Sequence, residues 1–202
     1  MDEARVRKAT AADIPALLPG AAAAFAPQPL MGWMIGAGPD RLQHAERILA
    51  EDFATALPHD RIYTTPDHHG AAVWLPPDRK QTLWQTLAGQ WRQARAIGLR
   101  RDIISLLGAF AAIERLTPRE PHYYLAMLAV APPWQGRGIG SALLQPGLQV
   151  CDAEQVPAYL VTDTEPNVRF YAHHGFEVRA AIRVAHGRIP VWTLWRAPRP
   201  GG

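Results

Sequence analysis

Three glycines within five residues, Gly136, Gly138 and Gly140, form the segment of this 202-residue chain with the most evident chemistry. They follow an apolar run at 125–130, which is typical of a buried strand, and they open onto a helical pattern. Glycine lets the backbone approach a ligand closely, and the first amide N–H groups of a helix have no intrahelical acceptor. Those donors and the positive end of the helix dipole favour a phosphate group. The turn therefore predicts a site for a phosphorylated cofactor.

The spacing of this turn argues against two common nucleotide sites. A dinucleotide fold carries Gly-x-Gly-x-x-Gly directly after its first strand, and a P-loop ends in Gly-Lys-Ser/Thr. Here the glycines alternate two-thirds of the way along the chain, and Gly140 is followed by Ser141 without a lysine. Further on, a predicted helix carries Asn167-x-x-x-Tyr171, and Gly175 follows four residues later. The glycine turn and this second segment have to be interpreted together.

The motif Gln-x-x-Gly-x-Gly at 135–140, with Asn-x-x-x-Tyr at 167–171, resembles the acyl-CoA site of the GNAT N-acetyltransferase superfamily. On these two motifs the chain is identified as a member. Several runs between about 116 and 198, among them 119–121 and 156–158, are also similar to puromycin N-acetyltransferase. The resemblance implies the GNAT fold, of the α/β (α+β) class, with a mixed central sheet of about seven strands flanked by helices. It implies acetyl-CoA as co-substrate and acetyl transfer to a primary amine of a small molecule.

The resemblance also implies a role for each part of the cofactor site. The backbone at 128–130 is expected to pair with the pantetheine arm, next to a splay between this strand and the one beginning at Ala158. A backbone N–H near Leu128 then polarises the thioester oxygen. Tyr171 is the expected general acid, since a phenol with a pKa of about 10 stays protonated and can donate to a leaving thiolate. The expected cofactor-binding residues are Leu128, Ala129, Val130, Gln135, Gly136, Arg137, Gly138, Ile139, Gly140, Ser141, Asn167 and Tyr171.

The general base stays open at the level of sequence. Histone-type relatives carry a glutamate on the central strand where this chain has Tyr124, and Val161 stands where puromycin N-acetyltransferase has a carboxylate. The remaining candidates are Tyr124 acting through water, His122 and Asp163. We predict Tyr124 and Tyr171 as the catalytic pair. The residues expected to bind the acceptor amine are Phe25, Trp33, Met34, Trp74 and His122.

Composition narrows the class of protein. With 48% hydrophobic residues the chain is long enough for a full core, and we expect a single domain over 1–202. A helical insertion is predicted over 79–117, on the acceptor side of the cleft. The net charge is only +3 without a basic run, which argues against nucleic-acid binding. The longest apolar stretch, 103–113, is too short to span a bilayer.

The start of the chain is charged, which indicates no secretory signal, and Cys151 is the only cysteine. A reducing compartment, the cytoplasm, fits both observations. We read Cys151 as a small buried hydrophobe, so a covalent acyl-enzyme is not expected. The histidine pairs lack metal-ligand spacing, and no metal is expected. A monomer or a homodimer is compatible with the sequence.

Two other functions stay open. The first is an acyltransferase that uses a longer acyl-CoA or a carrier-bound thioester, because the pantetheine arm is shared. The second is a non-catalytic CoA-binding regulatory module, which the replacement of a carboxylate by Val161 favours slightly. The retention of Asn167 and Tyr171 argues against that second alternative.

The predicted elements alternate between strands and helices. Thr10 and Asp13 form a capping-box-like helix start, and this first helix is predicted to end near 27–29. The next helix is predicted over about 40–57. Strands are predicted at 5–8, 61–65, 71–75, 123–130, 158–162, 177–183 and 189–195, with helices at about 138–155 and 165–174.

Overall fold

The computed structural model describes residues 5–77 and 103–199. Its strands are β1 (Arg7–Lys8), β2 (Ile62–Thr64), β3 (Gly70–Leu75), β4 (Tyr123–Val130), β5 (Ala158–Thr162), β6 (Glu177–Val184) and β7 (Ile189–Arg196). Its α-helices are α1 (Ile14–Phe25), α2 (Pro29–Ile35), α3 (Arg41–Ala56), α4 (Ile103–Glu114), α5 (Ile139–Ala153) and α6 (Glu165–His173). None of these helices is both long enough and apolar enough to cross a membrane.

The seven strands form one mixed sheet in the order β1-β2-β3-β4-β5-β7-β6. Only the β4–β5 pair is parallel among these neighbours, and the other pairs are antiparallel. The final hairpin places β7 beside β5, so the chain order is reversed at that edge. The expectation of a mixed, seven-stranded sheet flanked by helices is confirmed.

Apolar side chains bury both faces of the sheet. On one face α1 and α3 cover β3 and β4, with Leu17, Ile48 and Phe53 nearly inaccessible to solvent. On the other face α5 supplies Leu143 and Leu144, which pack against β3 and β4. Each side chain of this size contributes about 1.5–3 kcal/mol when fully buried. The two layers hold β4, the strand that borders the predicted cofactor site, at the centre of the molecule.

The helix α2 was not predicted, since no element was expected between the end of the first helix near 27–29 and the next helix from about 40. The structure has seven helical residues there, beginning at Pro29. The Oδ2 of Asp163, which follows β5, accepts a hydrogen bond of 2.6 Å from the backbone N–H of Leu30. The acceptor that satisfies this helix start comes from 133 residues away. A local pattern cannot contain that information.

The insertion predicted over 79–117 falls largely outside the described residues, which resume at 103. Its described part is α4, the twelve-residue helix Ile103–Glu114. The buried side chains of Ala109 and Ile113 pack against those of Val191 and Ile189 on the last hairpin. This contact holds α4 beside the sheet on the side of α1 and α3, where Phe110 joins their core.

Candidate active site

The strands β4 and β5 diverge after a short parallel contact. They pair only at Tyr123 with Ala158 and at Tyr124 with Tyr159. From Leu125 to Val130, the edge of β4 that faces β5 has no partner strand among the described residues. The splay expected at Ala158 is therefore present, and its backbone groups are available to an extended ligand.

A β-bulge in β4 lies next to this fork. Val73 of β3 pairs with Met127 and Trp74 pairs with Leu125, so that Ala126 is the extra residue. Before the bulge Leu125 faces α5, and after it Met127 faces α1 and α3. One additional residue thus reverses the alternation of the strand, as a bulge does. The consequence is that Tyr124 and Met127 lie on the same face of the sheet.

A cavity of about 160 Å³ opens where the strands diverge. One wall is formed by β4 from Tyr124 to Leu128, and the opposite wall by α1, α2 and α3. Apolar residues on the helix side include Phe25, Leu30, Met31, Met34, Phe110 and Ile113. The polar residues of the lining are Gln28, Asp52, Tyr124, Thr162, Asp163, Asn167 and Tyr171.

Tyr171 and Asn167 enter this cavity from α6. Thr164 caps the helix by accepting from the backbone N–H of Asn167, and the Asn167 side-chain amide donates to Thr162 Oγ1 at 3.1 Å. The Tyr171 ring packs edge-on against Phe176, with 5.7 Å between ring centroids. Burial raises the pKa of Tyr171 above its ordinary value. Its phenol is therefore protonated throughout the neutral pH range.

Of the three candidate bases, the structure brings Tyr124 and Asp163 into the cavity lining but not His122. Burial raises the pKa of Tyr124, and the nearby Asp52 carboxylate raises it further. Burial also raises the pKa of Asp163, and one of its oxygens accepts from Leu30. The Tyr124 phenol is a poor proton acceptor as such, and Asp163 is engaged in holding α2.

His122 lies at the start of β4, away from the fork. Its Nδ1 is 2.7 Å from the Glu120 carbonyl oxygen, and its ring meets those of Tyr159 and Trp195 edge-on. Burial lowers the pKa of His122. The prediction that His122 binds the acceptor is not supported by this position.

Sequence reasoning missed Asp52, a side chain of α3 that is 6% exposed and lines the cavity. The sequence does contain a signal for this position, a carboxylate within an apolar stripe. Asp52 occupies the apolar stripe of α3 together with Ile48 and Leu49, where a carboxylate interrupts an otherwise hydrophobic face. A charged residue is rarely buried in such a stripe unless something binds it. Periodicity identified the stripe but gave no reason to expect a cavity beneath it.

The predicted acceptor residues separate into two groups. Phe25 and Met34 line the cavity. Trp33 is partly buried between the core of α1 and α3 and the final hairpin, and it is not part of the lining. Trp74 is 1% exposed and lies under α5, on the opposite face of the sheet. Val73 and Leu75 face α1 and α3, so the regular alternation of β3 turns Trp74 towards α5.

The glycine turn has the backbone geometry that glycine allows. Gly136 and Gly138 have φ angles of 73° and 80°, which other residues rarely adopt. A Cβ atom built on either residue would meet no protein atom within 4 Å, so the space in front of the turn is open. Gly138 directly precedes α5, whose first-turn N–H groups have no intrahelical acceptor. The turn thus combines open space with unpaired N–H groups, which are the features by which a helix start binds a phosphate.

The side chains around the turn are held by contacts of their own. Gln135 donates from Nε2 to the Val130 carbonyl at 2.9 Å, which closes the loop onto the end of β4. The Arg137 guanidinium lies 4.7 Å from the ring centroid of Trp134, and the imidazole of His69 stacks on the same indole at 3.5 Å. These contacts restrict Arg137 to the neighbourhood of the turn.

Ser141, in the first turn of α5, is coupled to α6. Its Oγ lies 3.0 Å from Nε2 of His174. Burial lowers the pKa of His174, and the positive charges of His173, Arg196 and Arg199 lower it further. The neutral imidazole can therefore share one hydrogen bond with the hydroxyl. Both halves of the cofactor motif are linked by this contact.

Cys151 lies inside α5 and is not accessible to solvent. Burial raises the pKa of its thiol to about 12. A thiol of this kind is not a nucleophile at neutral pH. Within the described ranges, no cluster of three or more histidine, cysteine, aspartate or glutamate side chains has the arrangement of a metal site.

The profile of the acetyltransferase (GNAT) family matches residues 73–176, from β3 to the turn before β6. The chain belongs to this family. Over 143 residues it is 27% identical to an uncharacterised N-acetyltransferase of Schizosaccharomyces pombe, which covers 65% of this chain. The chain spans 58% of the length of that yeast relative, less than two-thirds.

Solved structures agree with the GNAT fold. One is described as histone acetyltransferase HPA2 and related acetyltransferase from Corynebacterium glutamicum, with a TM-score of 0.70, 21% identity and 97% of both chains covered. Another is a mutant of agmatine N-acetyltransferase, with a TM-score of 0.63, 16% identity, and 97% of this chain and all of that one covered. At such identities the likeness concerns the fold alone.

Proposed function

We propose that this chain transfers an acetyl group directly from acetyl-CoA to a primary amine of a small molecule. The observation that carries the proposal is the fork between β4 and β5, where an unpaired strand edge, Asn167 and Tyr171 border one cavity. The reacting atoms require these three features together: a backbone edge to hold the thioester, a donor for the sulfur, and a pocket for the amine.

The turn and the strand edge fit the two ends of acetyl-CoA. The open space at Gly136 and Gly138 suits the pyrophosphate, with Ser141 and Arg137 beside it. The edge of β4 around 128–130, which has no partner strand in the described part of the chain, suits the amide groups of pantetheine, in the way that an extended peptide adds to a sheet. We expect Asn167, whose amide already donates to Thr162, to contact the same arm.

The chemistry requires two proton movements. The acceptor ammonium first loses a proton, and the neutral nitrogen then attacks the thioester carbonyl to form a tetrahedral adduct. As the C–S bond breaks, Tyr171 donates its phenolic proton to the sulfur, and it regains a proton from the nitrogen of the new amide. A backbone N–H near Leu128 stabilises the oxyanion. The balance is one acetamide, one free thiol and one proton.

We assign to Tyr124 the relay of the first proton. Its phenol is held in the protonated form by burial and by the Asp52 charge, so it cannot act as a free base near neutral pH. A protonated hydroxyl can accept a proton on one lone pair while giving up its own. Tyr124 thus passes the proton on without becoming charged.

The similarity of the C-terminal half to puromycin N-acetyltransferase suggests puromycin as one acceptor, and Val161 argues against it. Val161 lines the cavity and offers an apolar wall where that enzyme has a carboxylate. An ammonium gains nothing from such a wall. We expect poor puromycin turnover, with Val161→Glu raising kcat/KM for puromycin. Efficient turnover by the wild type would make antibiotic inactivation the leading function.

The experiment that tests the proposal measures thiol release from acetyl-CoA in the presence of amines of different classes. Amino acids, polyamines, aryl-alkylamines and antibiotics are compared, with acetyl-CoA binding followed separately by calorimetry. The proposal predicts binding together with amine-dependent thiol release. Tight binding without release across all amines would select a non-catalytic CoA-binding module. Faster release from a longer acyl-CoA would select the alternative donor, which a cavity of about 160 Å³ does not favour. The buried, unpaired thiol of Cys151 fits the cytoplasm as the compartment.

A further inference from the structure

Four buried side-chain oxygens in the described part of the chain have no hydrogen-bond partner, and they come from one region. They are Oε2 of Glu114, Oγ1 of Thr117, the phenolic oxygen of Tyr159 and Oγ1 of Thr193. Tyr159 and Thr193 are 1% and 0% exposed. Buried polar atoms are almost always hydrogen-bonded, to protein or to ordered water, because leaving them unpaired costs free energy. Four such atoms in one region indicate that water is bound between them.

Elements from both halves of the chain bring these four groups together. Glu114 is the last residue of α4, and Thr117 follows it by three residues. The residues before and after Tyr159 in β5 face α5, so strand alternation turns its phenol to the opposite face, where α4 packs. Thr193 of β7 pairs with the residue two positions after Tyr159 and therefore shares this face.

The phenol of Tyr159 is the centre of this group. Burial raises the pKa of Tyr159 to about 12, and Thr117, Glu114 and Thr193 each affect it as well, which places all three beside the phenol. None of them forms a direct hydrogen bond with it. Polar groups that are close but not bonded are commonly bridged by water. We call these four residues the buried polar cluster.

Tyr124 belongs to the cavity and also contacts the buried polar cluster. Its ring is tilted by 33° against that of Tyr159, with 5.9 Å between the two centroids. Tyr124 lines the cavity, whereas the four residues of the cluster are not part of the lining. Burial raises the pKa of Tyr124, and Tyr159 and Glu114 add to this effect, so both groups are near its phenol. Tyr124 thus connects the substrate side with the cluster.

Resting on the proposed function, we propose that water bound by the buried polar cluster links Tyr124 to Glu114, and that Glu114 takes up the proton which the substrate ammonium loses. The N–H bond breaks as its proton moves to the Tyr124 oxygen, and the Tyr124 O–H proton passes to the water. The water gives a proton to Oε2 of Glu114, so that Tyr124 and the water end neutral and unchanged. Glu114 is partly exposed as a residue, and it returns the proton to solvent after the acetamide leaves. The balance needs no further reactant.

Glu114 can accept a proton only while its carboxyl group is ionised. Burial raises the pKa of Glu114 above its ordinary value, so the acid form persists to a higher pH than in an exposed glutamate. The rate should therefore fall on the acid side as Glu114 becomes protonated. The other charged or titratable groups that face Tyr124 and Tyr159 are Asp52, Tyr171, His122 and Arg179. A carboxyl group and an imidazole ordinarily titrate below pH 7, so the test includes Asp52 and His122.

The test measures kcat/KM for the fastest amine of the thiol-release screen from about pH 5 to 10, at saturating acetyl-CoA. Wild type should show a plateau around neutral pH. Glu114→Gln keeps the shape but cannot take up the proton, so only amine that is already neutral in solution reacts. Its kcat/KM should be roughly 30-fold or more below wild type at pH 7, rise about tenfold per pH unit, and approach wild type near the pKa of the amine. Glu46→Gln, at a partly exposed glutamate of α3 outside the cavity, should keep the wild-type profile.

Three outcomes of this comparison decide the role of Glu114. The wild-type pH profile in Glu114→Gln, or a loss of equal size at every pH, would overturn it. An acid-side decline that disappears in Asp52→Asn or His122→Asn, and not in Glu114→Gln, would overturn it as well. No turnover of any amine by the wild type would instead overturn the proposed function.

The bound water has a test that does not depend on activity. Tyr159→Phe and Thr193→Val each remove one hydroxyl group and keep nearly the same shape. If water bridges these hydroxyls, each change breaks hydrogen bonds and lowers the urea midpoint of unfolding. If the hydroxyls are unpaired, their removal relieves a desolvation penalty and raises the midpoint. We expect a lower midpoint in both variants. A higher midpoint in both would overturn the water link, even if Glu114→Gln does not fold.

Discussion

Tyr171 joins three properties that proton donation to a thiolate requires. It borders the cavity, it is held by Phe170 and Phe176 on either side, and its pKa is raised by burial. A raised phenol pKa means that the proton is present at every pH at which the amine can react. A phenol with a raised pKa is a weaker acid. The leaving thiolate is buried in the same site, and burial raises the pKa of its thiol too, so that the thiolate accepts the proton more readily.

Tyr171→Phe is therefore expected to lower the transfer rate about 100-fold and to leave the affinity for acetyl-CoA nearly unchanged. The ring packing is retained, and only the donor is removed. Single-turnover rates and calorimetric affinities separate these effects. Because the pKa of Tyr171 lies above about 10, the wild-type rate should show no alkaline decline from this residue below pH 9. A variant with wild-type turnover would make Tyr171 a packing residue.

At Gly138, the positive φ angle and the open space have different consequences. Gly138→Val should weaken acetyl-CoA binding at least tenfold, or about 1.4 kcal/mol, because a branched Cβ fills the cradle and strains the turn. Gly187→Val, at a φ of 79° in the distant β6–β7 turn, is the matched control for backbone strain alone. It should lower stability without changing the affinity. Equal affinities in both variants would remove the pyrophosphate site from the turn.

The residues that sequence could identify are those whose chemistry depends on local spacing. The alternating glycines and the Asn167–Tyr171 pair each lie within a single turn of chain, so their geometry follows from the sequence itself. Asp52 differs, because its place in the lining depends on a cavity formed by helices and strands from both halves of the chain. His122 and Trp74 lie outside the cavity lining for other reasons: His122 precedes β4, and the alternation of β3 turns Trp74 to the opposite face of the sheet.

At the scale of elements, α5 packs closely against β3 at Gly147. A Cβ on Gly147 would lie 2.2 Å from Cε2 and Nε1 of Trp74. The indole is buried, with 1% of its surface exposed. The contact sets the distance between α5 and β3, and with it the position of the glycine turn at the start of α5.

Gly147→Ala should lower the free energy of unfolding by about 1–3 kcal/mol, even though alanine has the higher helix propensity by about 1 kcal/mol. The steric overlap of the new methyl group with Trp74 costs more free energy than the higher helix propensity contributes. Trp74→Leu creates space at the same point, so the double variant should be less unstable than the sum of the two single changes. Urea unfolding of the four proteins gives the coupling energy. Additive losses would show that the indole does not set this distance.

The helix α2 depends on a residue beyond its own sequence. Asp163 accepts from Leu30, and α2 contributes Met31 and Met34 to the cavity. Asp163→Ala should cost about 0.5–2 kcal/mol of stability, as the loss of a helix cap does. It should also raise KM for the amine, with little change in the affinity for acetyl-CoA. Asp163→Asn, which keeps an acceptor oxygen, should lie closer to wild type. An unchanged KM in the alanine variant would separate α2 from acceptor binding.

At the scale of the whole molecule, the strands of the sheet could be predicted from apolar patterns. The divergence of β4 and β5 could not be predicted from those patterns. Strands β4 and β5 were predicted with their observed bounds, since continuous apolar runs mark buried strands well. The seven-stranded fold and the splay entered through the resemblance. What neither source provided is the pairing of distant groups, such as Asp163 with α2, because a buried polar contact between elements leaves no periodic signal.

Two aspartates tie the ends of the chain to this sheet through basic partners. Asp13 is held by Arg7 and His68, and Asp152 forms two hydrogen bonds with Arg196, which is 3% exposed. Hydrogen bonds from their arginine partners lower the pKa of both aspartates. Their contribution to stability is therefore complete above the ordinary aspartate pKa of about 3.9 and is lost as the pH falls below it.

Asp152→Asn is expected to lower the free energy of unfolding by roughly 2–3 kcal/mol at pH 7, since it leaves the buried Arg196 guanidinium with a neutral partner. The loss should shrink only as the pH falls below about 4, through the ordinary aspartate pKa towards the lowered pKa of folded Asp152, because protonation then removes the charge in the wild type as well. Denaturant unfolding at pH 7, 5 and 3 measures the difference. A constant loss across that range would show that packing, and not charge, is what Asp152 supplies.

The most direct measurement quantifies free CoA and acetylated amine in the same rapidly quenched samples, with enzyme in excess of acetyl-CoA. Direct transfer at the fork between β4 and β5 predicts that the two products appear at the same rate and in equal amounts. The same result is expected for Cys151→Ala, because the buried thiol takes no part. Release of CoA before the acetamide, with acetyl groups on the protein, or release of CoA without any acetamide, would contradict direct transfer.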